Sequence, residues 1–343
     1  MSYNNQSIFD DLTQDINNAN IEESEKKKIL QNILQLRDKK LNIMITGGTG
    51  VGKSSTINAL FDANVAKVGV GATPETMDVK KYELKNLILW DSPGLGDGKE
   101  ADERHSKNII EKLNEYGPDG KALIDLVLVI LDGSTRDYGT SFDLINNVII
   151  PNLGSDEDKK KRILVAINQC DVAMKGKHWN YEMNKPDPTL EKFLDDKVES
   201  VRARVKESTN VDIEPIYYSA GYKETDDEKQ IPYNLSKLLY YIIQHTPKEK
   251  RLIYIDTTSK EKENWKSNES FKKQGSGKRE DTKDYNEAIQ KSMVETVIDY
   301  AGKGAAIGGA IGTIIGGAAG RKIGTIAGGA IGAAAGFFKK LFS

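Results

Sequence analysis

Gly47-Gly48-Thr49-Gly50-Val51-Gly52-Lys53-Ser54 stands between an apolar run over 41–45 and a helix-compatible stretch over 55–61. Strand, glycine loop and helix in that order predict a phosphate cradle rather than an ordinary turn. Small residues let successive backbone N–H groups point at phosphate oxygens, and the helix that starts near Lys53 adds the positive end of its dipole. Lys53 is expected to bridge the outer phosphates as a point charge, and the Ser54 hydroxyl to ligate the magnesium ion that accompanies them. The binding set read from this stretch is Gly47, Thr49, Gly50, Val51, Gly52, Lys53, Ser54 and Ser55.

Downstream, short apolar runs rich in Ile, Val and Leu recur over 87–90, 126–131, 163–167 and 213–217. Helical stretches over 102–116, 138–150, 188–206 and 234–245 lie between and after them. The alternation predicts an α/β fold, a doubly wound and mostly parallel sheet with its ligand at the carboxyl ends of the strands. Asp91-Ser92-Pro93-Gly94 closes the first run. Asp91 at a strand end can hold magnesium through a water, and the Gly94 amide can meet the terminal phosphate. Asn168-Gln169-Cys170-Asp171 closes the third run. There Asp171 is expected to accept from the N1 and N2 donors of guanine, a pair adenine lacks, while Asn168 fixes the loop and approaches the base edge. Ser219-Ala220-Gly221 closes the fourth run and is expected to offer a backbone amide to guanine O6.

This ordered set, over about 41–245, resembles the GTP-binding domains of the translation-factor-related class of P-loop GTPases, particularly the Era, TrmE and septin-like superfamily. Within it, the chain is similar to the bacterial YeeP-like GTPases and to the immunity-related and dynamin-like GTPases. The resemblance implies GTP and GDP as ligands, Mg2+ as cofactor, and hydrolysis of GTP to GDP and phosphate. Two departures from the family pattern follow. Gln169 replaces the usual lysine of the guanine motif, which is expected to remove that lysine's aliphatic cover and its phosphate-loop contact while sparing Asp171. Leu95 stands where glutamine orients the attacking water in small signalling GTPases, so intrinsic turnover is expected to be slow, or to depend on another group or on self-association. Switch I falls within 62–80, where Thr73 and Thr76 can each give a hydroxyl to magnesium. The family pattern favours Thr76, just before a strand-like run over 77–84, and Thr76 and Lys53 form the expected catalytic pair. Gly69 and Gly71 in this switch, and Gly96 and Gly98 in the next, allow an order–disorder change.

Composition bounds the rest. A chain of 343 residues suits one medium domain with appendages, and a net charge of -2 advertises no nucleic acid as a partner. A single cysteine, Cys170, excludes an internal disulfide and fits a reducing, cytoplasmic setting; the polar, acidic start 1–11 has no apolar segment of a cleaved secretion signal. Residues 1–40 read as amphipathic helices with a break near 18–20, packed on the neighbouring domain or on another chain, with membrane contact the lesser reading. The GTP-binding domain is expected over 41–246 and a charged linker over 247–290, flexible or weakly helical, with Lys273, Lys278 and Arg279 able to touch acidic lipid.

From Gly304 to Gly336 a glycine recurs at every fourth position, with Ala and Ile filling most gaps. This glycine-zipper tail, 291–343, is expected to form a helical hairpin split at Arg321 and Lys322, each arm about 25 Å long. An arm of that length is short of the roughly 30 Å hydrocarbon core. Lys303, Phe337, Phe338, Lys339 and Lys340 suit interfacial anchoring, so 301–338 reads as membrane-associating, peripherally or inserted; a soluble Gly/Ala hairpin on the GTP-binding domain is the alternative. The leading functional expectation is a slow GTPase whose nucleotide state controls self-association or membrane association of the tail. A soluble Era-like assembly or RNA-associated GTPase and a non-hydrolysing GTP-binding scaffold are the alternatives, and the first would need a basic RNA-binding module that the tail lacks.

Overall fold

The computed structural model describes residues 7–18, 22–61, 79–92, 98–223, 229–266 and 285–301. In chain order, α1 (Ile8–Asn18) and α2 (Glu23–Arg37) precede β1 (Leu41–Gly47), and α3 (Lys53–Leu60) follows it. The hairpin β2 (Lys80–Leu84) and β3 (Leu87–Asp91) leads to α4 (Lys99–Leu113), β4 (Leu126–Asp132) and α5 (Gly139–Asp143). Next come α6 (Asp156–Lys161), β5 (Ile163–Asn168), a small hairpin of β6 (Trp179–Asn180) and β7 (Lys185–Pro186), and α7 (Pro188–Thr209). The described chain ends with β8 (Ile216–Tyr217), the pair β9 (Tyr222–Lys223) and β10 (Lys229–Gln230), α8 (Leu235–His245), α9 (Ile253–Thr257) and α10 (Tyr285–Ala301).

The main sheet has six strands in the order β2-β3-β1-β4-β5-β8. Only β2 runs antiparallel to its neighbour. Because successive side chains leave a strand on opposite faces, the two cores can be read directly from alternate residues. On β4, Leu126, Leu128 and Ile130 join one apolar cluster, whereas Val127, Val129 and Leu131 join the other. The first cluster holds α1, α2, α3, α8, α9 and α10; the second holds α4, α7 and the helical turns that follow α5. Strands covered on both faces are predominantly apolar, with buried Asn42 and Thr46 in β1 as exceptions, which explains why they stand out in the sequence as near-continuous runs.

Several sequence-derived boundaries are corrected. The helix expected over 138–150 passes from α5 into a π-helical turn, Leu144–Ile149, and a 3-10 turn, Ile150–Asn152. Pro151 lacks the amide that would continue the ladder. The fourth apolar run pairs only at Ile216 and Tyr217, directly after Pro215, which cannot donate to a ladder. The expected linker 247–290 is folded at both ends. Leu252, Ile253, Tyr254, Ile255 and Trp265 are buried, and α10, which runs across the expected boundary at 290, buries Ile289, Met293 and Val297 in the same cluster. Most charged residues of these segments face outward and hid the apolar stripe that docks them, whereas Arg251 is buried, its guanidinium donating to Ser292 Oγ and to the Thr246 and Gln244 carbonyls. Residues 1–40 pack on this domain through Phe9, Leu12, Ile16, Ile29, Ile33 and Leu36. The glycine-zipper hairpin over 302–343 lies outside the described residues.

Candidate functional site

β1, β3, β4 and β5 deliver their loops to one edge of the sheet. β1 passes into the glycine loop at Gly47, whose φ of 144° belongs to the glycine region; a Cβ there would lie 2.1 Å from the Ile130 carbonyl oxygen on β4. Gly52 caps α3 at φ 88°, and a Cβ there would meet Asn168 Nδ2 at 2.3 Å. These two positions tolerate no side chain, so the loop can lie close under a ligand and against the guanine loop. Among the described residues, the amides of Gly50, Val51 and Gly52 donate to no backbone carbonyl. Lys53 Nζ donates to the carbonyls of Gly47 at 3.2 Å and Gly48 at 3.0 Å, which holds the ammonium across the mouth of the loop. Thr49 is exposed, and Ser54 and Ser55, partly exposed, occupy the first turn of α3.

Asn168 at the end of β5 is the structural centre of the site. It is buried; its Nδ2 donates to the Val51 carbonyl at 2.9 Å, and its Oδ1 accepts from the Ala220 amide at 2.9 Å. One carboxamide thus joins the phosphate loop, the guanine loop and the turn after β8. Asp171 is 8% exposed, and its carboxylate takes no hydrogen bond among the described residues. Gln169, at φ 60°, donates from Nε2 to the Gly50 carbonyl at 2.9 Å. This corrects the expectation that losing the lysine removes the phosphate-loop contact: a carboxamide is long enough to make it.

The turn after β8 is closed by its own hydrogen bonds. The Ser219 amide donates to the Tyr233 carbonyl at 3.0 Å, the Ala220 amide to Asn168, and the Gly221 amide to Ser219 Oγ at 3.2 Å. The amides of this turn are thus hydrogen-bonded within the protein, and the Ala220 amide braces Asn168. Sequence reasoning also missed Tyr218, whose hydroxyl meets Thr56 Oγ1 at 2.7 Å while Thr56 donates to the Gly52 carbonyl at 2.8 Å. That link ties α3 to the chain just after β8, and a lone buried tyrosine gives no motif by which to find it.

Asp91 ends β3 beside the glycine loop. It is 2% exposed and its Oδ1 has no hydrogen-bond partner. Burial raises its pKa to about 6 against the opposing pull of Lys53 and Lys80. A buried carboxylate oxygen without a partner beside a phosphate cradle fits a hydrated divalent cation. Asp91 and Ser54 would hold Mg2+, which supplies charge neutralisation of the phosphates when bound. Gly94, Leu95, Thr73 and Thr76 lie outside the described residues.

With this geometry in place, comparisons with known proteins are informative. Residues 42–169 match the family model described as 50S ribosome-binding GTPase. The chain is 38% identical over 105 residues to the translocase of chloroplast 125 of Physcomitrium patens, covering 28% of this chain and 9% of that protein. It is 36% identical over 103 residues to interferon-gamma-inducible GTPase 10 of Mus musculus, covering 28% and 22%. The probable GTP-binding protein EngB of Methanococcus aeolicus is 31% identical over 96 residues, covering 28% and 41%. The chain thus spans less than half the length of each of these relatives. The matched region is a GTP-binding G domain of the P-loop GTPase class, on an α/β fold with a mostly parallel central sheet.

Proposed function

We propose that this chain is a slow GTPase that binds GTP and GDP with Mg2+ and uses its nucleotide state to control self-association or membrane association of the tail beyond α10. The observation that carries the nucleotide half is Asn168, which bridges Val51 of the phosphate loop and Ala220 while Asp171 stands bare three residues on. A phosphate cradle and a base selector held by one side chain make a site for one guanine nucleotide. In this reading Asp171 selects the base, Lys53 and the glycine-loop amides hold the phosphates, and Asp91, Ser54 and the switch I threonine, Thr76, attend the metal. Leu95 in place of a water-orienting glutamine supports slow turnover.

The tail half rests on sequence: four-residue glycine spacing beyond 301 next to interfacial Lys and Phe residues. No described helix is long and apolar enough to cross a membrane. The test is flotation with anionic lipid vesicles of the full chain and of a chain ending at Ala301, each with GTP, GDP or no nucleotide, alongside single-turnover hydrolysis. The expected result is nucleotide-dependent flotation of the full chain only. Equal flotation of both chains in all states overturns the tail assignment, and competition by ATP as strong as by GTP overturns the guanine assignment.

A further inference from the structure

Lys197, on the middle of α7, stands apart from every motif of the nucleotide site. Its Nζ donates to the Gly133 carbonyl at 2.7 Å and to the Thr135 carbonyl at 2.5 Å. It lies 5.0 Å from the ring centre of Tyr138 and 5.4 Å from that of Phe193. A partly buried ammonium between two rings and two carbonyls is fixed in direction by cation–π attraction and by two charge-assisted hydrogen bonds. The groups it fixes belong to the loop after β4.

That loop leans on the guanine loop. Asp132 is in register with Asn168, and the Gly133 amide donates to the Asn168 carbonyl at 2.7 Å. A Cβ on Gly133 would lie 2.6 Å from that same oxygen and 3.2 Å from the Gln169 carbonyl oxygen. The loop is further closed on itself: the Ser134 amide donates to Asp132 Oδ1 at 2.8 Å, and the Tyr138 hydroxyl to the Asp132 carbonyl at 2.7 Å. One continuous path of strong contacts therefore runs from Lys197 through Gly133 to the backbone of Asn168 and Gln169, whose side chains hold Val51 and Gly50.

We propose that Lys197 is a positioning residue for base selection: by clamping the loop after β4 it holds the guanine loop, and with it Asp171, at the height that meets a guanine edge. This rests on the guanine reading of Asp171 given above. Lys197 itself touches neither phosphate-loop residues nor the metal positions, so its effect falls first on the base end of the ligand and reaches the phosphate loop only at second hand, through the Asn168 and Gln169 side chains.

The experiment titrates full-length wild type, Lys197→Met and Lys197→Arg with fluorescent GDP. The competitors are GDP, IDP, whose base lacks the exocyclic amino group, and inorganic tripolyphosphate, which engages only the phosphate loop. For Lys197→Met the expected result is a loss of about tenfold in GDP affinity, the size of one charge-assisted hydrogen bond. The ratio of IDP to GDP dissociation constants shrinks, and tripolyphosphate affinity falls by less than GDP affinity. Lys197→Arg, which keeps a cation between the rings, retains most of the wild-type ratio. Gly133→Ala, which presses on Asn168 from the same loop with Lys197 intact, serves if Lys197→Met does not fold, and it too should lower the ratio. A wild-type ratio in folded Lys197→Met, or in Gly133→Ala where Lys197→Met does not fold, overturns the proposal, as does an equal loss for GDP, IDP and tripolyphosphate. Failure of the underlying guanine reading is visible separately, as a wild type that does not distinguish GDP from IDP or ATP.

Discussion

At the scale of single residues, Asp91 sets metal chemistry against stability. Its folded-state pKa lies near 6, above the unfolded value of 3.8. Between those values the folded state holds the extra proton, so the contribution of Asp91 to stability declines as pH rises from about 4 to 6 and is level above that. Asp91→Asn removes the effect. In metal-free, nucleotide-free protein the variant is expected to be more stable than wild type at pH 7.5, by something on the order of 2 kcal/mol. The gap closes toward pH 4; urea unfolding at pH 4, 6 and 7.5 measures it. The same variant should lose the magnesium-dependent part of GDP affinity, and a variant no more stable than wild type at pH 7.5 removes the argument. Asn168 is the opposite case, a group whose removal harms both properties. Asn168→Ala strips partners from the Val51 carbonyl and the Ala220 amide, each loss about 1–3 kcal/mol for a buried group. Both the urea midpoint and GDP affinity should fall. These residues were legible in sequence because their chemistry is local: residue type, spacing and the end of an apolar run suffice. Gln169, Tyr218 and Lys197 were not, because their roles depend on contacts across more than fifty positions, to Gly50, Thr56 and Gly133 respectively.

At the scale of elements, the region after α8 shows where composition misleads. Charged residues crowd 247–266, yet Trp265 is 1% exposed and donates from its indole to the Ser259 carbonyl at 3.0 Å. Asn264 Nδ2 reaches back to the Ala59 carbonyl on α3 at 3.2 Å. The segment is a strap across α3, the helix that carries the phosphate loop. Trp265→Ala should therefore cost about 3–5 kcal/mol, typical of a buried large aromatic, read as a fall in urea midpoint; a change below 1 kcal/mol would return the segment to the linker class. The apolar pattern of this strap, four consecutive residues 252–255 and the single Trp265 among many charges, is too short for periodicity to detect. α10 extends the lesson. It packs on α8 and α2, and Asn32 Nδ2 donates to the Tyr300 carbonyl at 3.1 Å. A chain ending at Ala301 should melt like the full chain, whereas one ending at 284 should melt lower because Ile289, Met293 and Val297 leave the core. Differential scanning of the two truncations separates them.

At the scale of the whole molecule, the sheet joins two cores into one cooperative unit. Each central strand contributes to both: β1 gives Ile43 and Ile45 to one cluster and Met44 to the other, and β5 divides Leu164 and Ala166 from Val165 and Ile167. The N-terminal helices and α10 belong to the first cluster, so they cannot melt without exposing the face on which α3 packs. Ion pairs between distant segments, such as Lys248 with Asp299 at 2.8 Å, add register rather than much energy, being largely exposed. A ligand at the sheet edge should then stabilise both faces together. At one hundred times its dissociation constant GDP with Mg2+ adds about 2.7 kcal/mol, a rise of roughly 5 °C for a domain this large. The three tryptophans provide the readout, because Trp265 lies in the first cluster, Trp179 in the second and Trp90 packs against the second. In a variant keeping Trp265 and in another keeping Trp179, the fluorescence midpoint should coincide with the far-UV circular dichroism midpoint of the same variant, and GDP should shift the two signals together. If the Trp265 signal instead moves first and ignores GDP, then α1, α2 and α10 form a separate unit, and nucleotide binding has no thermodynamic route through the core to the chain beyond Ala301. Coincident transitions leave that route open, since whatever orders the nucleotide loops then also orders the helices from which the glycine tail continues.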